Sequence, residues 1–161
     1  MFSGDYKLIT EFGRSIVCKC GVTVSAVATV KDCGGIATAI IHTGANQLLR
    51  EVYLPGKWFH RMTVYDSAGK LKRQAQLERL SVAGPLCFGG DFIARQLPLP
   101  PVAAGDFLCV HDTGAYCSSM YSMFNSRTPP PVFGYRRACD GRVTIQLLKE
   151  YKGNDVLAFW E

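Results

Sequence analysis

The sequence predicts an all-β fold, a Greek-key-like barrel or sandwich with two short helices, on three observations. Strand-like apolar runs recur along the chain, clusters of Gly, Pro and Asn separate them, and one long run alternates with period two. At 161 residues and 48% hydrophobic content, the chain can bury one core and is too short for two ordinary domains.

The alternating run is Ile16 to Val30. Ile16, Cys18, Cys20, Val22, Val24, Ala26, Ala28 and Val30 interleave with residues such as Lys19, Thr23, Ser25 and Thr29, which predicts one long strand with the apolar set buried. Gly21 inside it predicts a bend, as in a strand that wraps a small barrel. Further strands are expected at Gly35 to His42, His60 to Asp66, Gln74 to Val82, Asp106 to His111, Val132 to Arg136 and Arg142 to Lys149. One helix is expected from Ala115 to Asn125, where Cys117, Met120, Tyr121 and Phe124 fall at helical spacing. The other is the tail "NDVLAFWE", with Asn154 as N-cap. Pro129 to Pro131 reads as a stiff lead into the next strand.

Composition narrows the function classes. The net charge is +5, but the basic residues are scattered and no basic run is longer than the Arg136 and Arg137 pair, so a solvated mixed surface is expected and not a nucleic-acid interface. No apolar run reaches the roughly 18 residues that span a bilayer. The start "MFSGDYKLITEFGR" has no signal-peptide core, which leads us to expect a cytoplasmic protein, or an organellar one whose leader lies upstream. The seven cysteines, an odd number set mostly in apolar runs, read as reduced and buried. None forms a CxxC pair, and the isolated His42, His60 and His111 show no metal-ligand spacing, so no metal is expected.

Taken singly, the candidate residues read structurally. Cys87 in "GPLCFGGD" is a small hydrophobe, Glu11 and Arg14 in "EFGR" are a surface ion pair, and Tyr116 in "DTGAYCSSM" packs on the core unless an anion sits at its glycine turn. Together, "EFGRSIV", "VAGPLCFGGDFIARQLPLPPVAAGDFLCVHDTGAYCSSMYSMFNSR" and the closing "VLAFWE" resemble the C-terminal part of the pyridoxal-phosphate-dependent amino-acid decarboxylases that include diaminopimelate, ornithine and arginine decarboxylase. The most specific stretch runs from Gly84 to Arg127, and "FNSR" is closer to the diaminopimelate branch.

The resemblance implies residues 1–14 as the end of a cofactor-holding α/β barrel and residues 15–161 as a β-barrel domain, in a dimer whose active sites each draw on the neighbour's second domain. It assigns Glu11 to the cofactor's ring nitrogen, Gly13, Arg14 and Tyr116 to its phosphate, and Cys87 to protonation of the carbanion left by loss of carbon dioxide. Those residue types suit those tasks: a carboxylate keeps the ring protonated, an arginine offers forked donors, and a thiol can release a proton. Asp91 is expected to pin the glycine turn or its dimer contact and not to do chemistry.

The departures point to altered function. Phe12 replaces a proline, Phe88 replaces the acid that helps read the substrate's far amino group, and no Arg-Pro-x-x-Tyr motif occurs between Ala45 and Leu80. Neither Lys7 nor Lys19 has the surroundings of a Schiff-base lysine, so the cofactor's covalent anchor is expected from a barrel upstream or in trans. Two functions follow: a decarboxylase domain acting on an amino-acid substrate once joined to that barrel or a homodimer partner, or a non-catalytic regulatory module that binds decarboxylase subunits and competes for their dimer contact. A third reading, outside the resemblance, is an unrelated small β-barrel binding protein that only mimics the pattern.

Overall fold

In a computed structural model, residues 4, 6–73 and 77–158 are described. They form a curled six-stranded sheet, a separate two-stranded hairpin and a few single-turn helices. The chain runs α1 (Gly13–Val17), β1 (Val22–Asp32), β2 (Ala37–Ile41), α2 (Leu49–Tyr53), β3 (Met62–Tyr65), β4 (Glu78–Ala83), β5 (Phe92–Leu99), β6 (Phe107–His111), β7 (Val132–Arg137), β8 (Val143–Lys149) and α3 (Gly153–Leu157). Strand order in the large sheet is β3-β6-β1-β2-β4-β5, and only β2 and β4 pair in parallel.

The sheet curls because β1 serves two neighbours in succession. Val22 to Ala26 pair with β6 and Val27 to Asp32 with β2, with a bulge between Val27 and Thr29 where the strand changes partner. The concave side holds the core, with Val27, Ile41, Leu48, Val64, Val82, Leu108 and Val110 at its centre. A strand over Phe92–Leu99 escapes the sequence reading, since "FIARQLPL" carries a proline; as β5 it lies at the sheet edge, where the missing N–H is tolerated.

The all-β class holds, and five local expectations are corrected. The long strand begins at Val22 and not Ile16, because Gly13–Val17 is an α-helical turn and Cys18–Cys20 a 3-10 turn. Its buried face is the opposite one: Ser25 and Val27 point inward, while Val22 and Val24 are exposed. Ser25 tolerates burial because its hydroxyl accepts the Thr43 N–H at 3.0 Å. The helix expected from Ala115 is two 3-10 turns, Ser118–Met120 and Phe124–Ser126, broken by positive φ at Tyr116 and Asn125 and by an extended Tyr121. Tyr121 is held by Asn46 Nδ2, which donates to its hydroxyl at 2.8 Å, a pull across the chain that helical spacing cannot show.

The tail helix is shorter than expected and starts at Gly153, so Asn154 lies inside it; Asp155 caps it by accepting the Lys152 N–H at 2.7 Å. Residues 159–161, which end the expected helix, and 74–76, at the start of an expected strand, lie outside the described residues. Only Cys109 and Cys117 of the seven free cysteines are buried; Cys20, Cys33, Cys87 and Cys139 are exposed, three of them in turns that the apolar-run argument does not cover and Cys20 beside the helix that replaces the strand start.

Candidate functional site

Cys87 sits in the turn between β4 and β5, and Asp91 builds that turn. The Asp91 carboxylate is buried and accepts the N–H groups of Ala45 (2.6 Å) and Leu86 (2.7 Å), while its backbone carbonyl accepts the Gly84 N–H at 2.9 Å. The carboxylate fits because both flanking positions are glycine: a Cβ at Gly84 or Gly44 would lie 2.3 or 2.9 Å from its oxygens. Asp91 thus pins the turn, as expected of it. The Cys87 side chain is exposed, and its N–H is donated to Asn125 Oδ1 at 2.9 Å.

Phe88, next along the turn, packs edge-on against Phe124 with ring centres 6.5 Å apart. Together with Ala45, Asn46, Leu49, Leu86 and Ser122 these two rings line a cleft of about 290 Å³. Among the described residues no charged side chain lines it.

A second cluster gathers residues from three distant parts of the chain. The Arg14 guanidinium lies over the Trp58 ring at 3.9 Å, Arg50 over the same ring at 4.6 Å, and Arg50 again over the Tyr116 ring at 4.2 Å. Arg14 comes from α1, Arg50 from α2, and Tyr116 from the glycine turn after β6. That turn is locked to α1 by close backbone contact, since Gly114 N–H is donated to the Cys18 carbonyl at 3.0 Å and a Cβ at Gly114 would lie 2.0 Å from the Val17 carbonyl. Tyr116 has φ +60, unusual for a bulky residue and characteristic of places where function holds the backbone. It is 40% exposed and so is not the core aromatic that its sequence context first predicts.

Two guanidinium groups against one ring make a cationic spot. Among the described residues no carboxylate pairs with Arg14 or Arg50, and Arg50 Nε is buried with no hydrogen-bond partner. This donor set suits a phosphate or carboxylate. Of the expected site residues, the structure brings Arg14 and Tyr116 together; the contacts of the described residues do not join Cys87 or Glu11 to them, and Glu11 is exposed. Arg50 and Trp58 escape the sequence reading. The signal was Arg50-Glu51-Val52-Tyr53, one residue shorter than Arg-Pro-x-x-Tyr and with Glu51 in place of proline.

Beneath this cluster, Glu51 and His60 form a buried ion pair. His60 Nε2 is 2.9 Å from Glu51 Oε1 and 3.9 Å from Cys117 Sγ, and Nδ1 is 2.8 Å from the His111 carbonyl. The Glu51 contact is an ion pair and not an aligned hydrogen bond, for neither carboxylate oxygen has a hydrogen-bond partner. Burial works against charge on His60, but Cys117 and Glu51 outweigh it and push the pKa up to about 10.

The fold and site describe a sheet domain with a presented thiol and a cluster of two arginines stacked on aromatic rings. The family model "Pyridoxal-dependent decarboxylase, C-terminal sheet domain" matches residues 15–114. The chain belongs to this family. It is 36% identical over 153 residues to diaminopimelate decarboxylase of Escherichia coli (strain K12), a match covering 88% of this chain and 36% of that protein. A crystal structure of diaminopimelate decarboxylase superposes with a TM-score of 0.78 at 30% identity, covering 92% of this chain and 35% of the other. That of M. jannaschii diaminopimelate decarboxylase in co-complex with L-lysine gives 0.74 at 27% identity, covering 91% and 31%. The chain therefore spans about a third of the length of these relatives. Among the described residues no helix is long and apolar enough to cross a membrane.

Proposed function

We propose that residues 15–161 act as the sheet domain of an amino-acid decarboxylase and complete an active site on an α/β-barrel domain supplied upstream, in trans or by a homodimer partner, residues 1–14 being the end of such a barrel. The observation that carries this reading is the stack in which Arg14 and Tyr116, far apart in sequence, meet through Trp58 and Arg50. The orphaned Arg50 Nε and the unpaired guanidinium charges fit the phosphate of pyridoxal phosphate.

When bound, pyridoxal phosphate supplies the electron sink for the carbanion that decarboxylation leaves. Gly13, Arg14 and Tyr116 would hold its phosphate, Glu11 would pair with its ring nitrogen, and Cys87 Sγ would supply the proton that replaces the lost carboxylate. The Asp91-pinned turn keeps Cys87 at the surface, where it can reach a neighbouring subunit. Exposed apolar residues supply the surface for that neighbour: Leu8, Ile9, Phe12 and Ile16 near the start, Val24 on β1, and Tyr135, Ile145 and Leu148 on the hairpin. Phe88 and its uncharged cleft favour a substrate whose far end carries no charge, since a ring cannot offer an ammonium a charge-assisted bond.

The test joins this chain to a decarboxylase barrel of the family and measures carbon dioxide release with Cys87→Ala. Expected is a loss of roughly 100-fold or more with cofactor absorbance retained. An unchanged rate and product refute the Cys87 role, while mixed complexes that silence an intact decarboxylase establish the alternative, a non-catalytic dimer-competing module.

A further inference from the structure

Three side chains buried under the arginine–aromatic cluster stand beside three of its members in sequence. Glu51 follows Arg50, Cys117 follows Tyr116, and His60 is two residues from Trp58. Each neighbouring pair is split between two levels, with the ionisable or thiol group inward and the stacking group outward: Glu51, His60 and Cys117 are 4%, 7% and 3% exposed. We propose that Glu51, His60 and Cys117 form a buried positioning unit that sets Arg50, Trp58 and Tyr116 as an anion-binding stack and keeps the Glu51 carboxylate turned away from Arg50.

Geometry carries each half of the statement. His60 touches three elements at once: Glu51 on α2, Cys117 in the glycine turn, and the His111 carbonyl at the end of β6. The backbone segments that carry Arg50, Trp58 and Tyr116 are thereby referred to one imidazole ring. Both ring nitrogens lie beside acceptors, a carbonyl oxygen at Nδ1 and a carboxylate oxygen at Nε2, an arrangement that favours the doubly protonated ring. The titratable groups facing it are Glu51 and Cys117. Glu51 is also the residue that interrupts the Arg-Pro-x-x-Tyr pattern, and its charge is one residue from a guanidinium needed for anions. Paired with His60, that carboxylate is neutralised in place and does not occupy Arg50.

The two possible roles of Glu51 predict opposite signs. A carboxylate that merely opposes anion binding gives tighter phosphate binding when removed, whereas a positioning residue gives weaker binding. The proposal rests on the anion-site reading for its ligand alone, so the experiment separates the two. In a Trp160→Phe background, the Trp58 indole resonance and its acrylamide quenching report the stack without ligand, and a titration with inorganic phosphate reports the site.

Expected for Glu51→Gln are a shifted Trp58 resonance, stronger quenching, and phosphate affinity reduced about five- to tenfold, as for loss of a held charged donor. In the variant the His60 titration moves to lower pH, and Trp58 follows it. The unaltered chain needs no folded variant: its His60 ring nitrogens should both stay protonated from pH 6 to 8.5. A neutral ring at pH 7.5, an unmoved Trp58 in both Glu51→Gln and Cys117→Ala, or tighter phosphate binding in Glu51→Gln overturns the proposal. If the unaltered chain binds no phosphate yet Trp58 responds to Glu51→Gln, the positioning unit stands and the anion reading falls.

Discussion

Replacing Asp91 by Ala should cost more stability than any other single carboxylate change in the sheet domain. Its side chain accepts two backbone N–H groups at 2.6 and 2.7 Å, one from the loop after β2 and one from the turn after β4. Removing it orphans two donors in a site where Gly44 and Gly84 leave the backbone tightly apposed. At about 1–3 kcal/mol for each stranded donor, the loss is about 2–6 kcal/mol. For a chain of this size, 4 kcal/mol corresponds to a fall in Tm of roughly 10 °C. Asp91→Asn should lose less, because one oxygen remains while the amide NH₂ confronts a donor. Urea unfolding followed by circular dichroism measures both, with the exposed Asp140→Ala as the control. A loss below about 1 kcal/mol for Asp91→Ala would show that the turn is held by other contacts and refute the reasoning.

Gly114→Ala should separate α1 from the glycine turn, since a Cβ there meets the Val17 carbonyl at 2.0 Å; loss of the Arg14 quenching of Trp58 fluorescence would report it, and an unperturbed stack would contradict the close approach. The His60 pKa of about 10 against an ordinary 6.5 places the full contribution of the ion pair below pH 6.5 and its loss as pH rises towards 10. Unfolding free energy should therefore fall across that window, by up to about 1 kcal/mol per pH unit, and this slope should shrink in Glu51→Gln, with Cys117 sustaining the remainder. In a reconstituted enzyme, Phe88→Glu should move preference towards substrates with a distal ammonium; equal selectivity in both forms would count against the cleft as the specificity element.

Most strands other than β5 were legible in the sequence, because period two and turn residues are local properties. The site was legible only through short motifs. Arg14 and Tyr116 belong to such motifs, whereas Arg50 and Trp58 lie in a segment whose expected pattern is one residue short. The inverted face of β1 could not be read, because both of its faces are partly apolar and the choice is made by Thr43 bonding to Ser25. The helix expected after Ala115 failed for a similar reason: Asn46, far along the chain, claims Tyr121 and pulls the backbone out of helical register.

The one parallel pairing in the large sheet, Thr38 to Ile40 against Ser81 to Ala83, encloses a loop of roughly 40 residues, which contains α2, Trp58, His60 and β3. Such a long-range junction is among the slowest to close, since the chain surrenders its freedom before the contact rewards it. The arginine stack and its buried imidazole thus depend on closure of this long-range junction. Until the two strands meet, the chain can hold native hairpins and still possess no site.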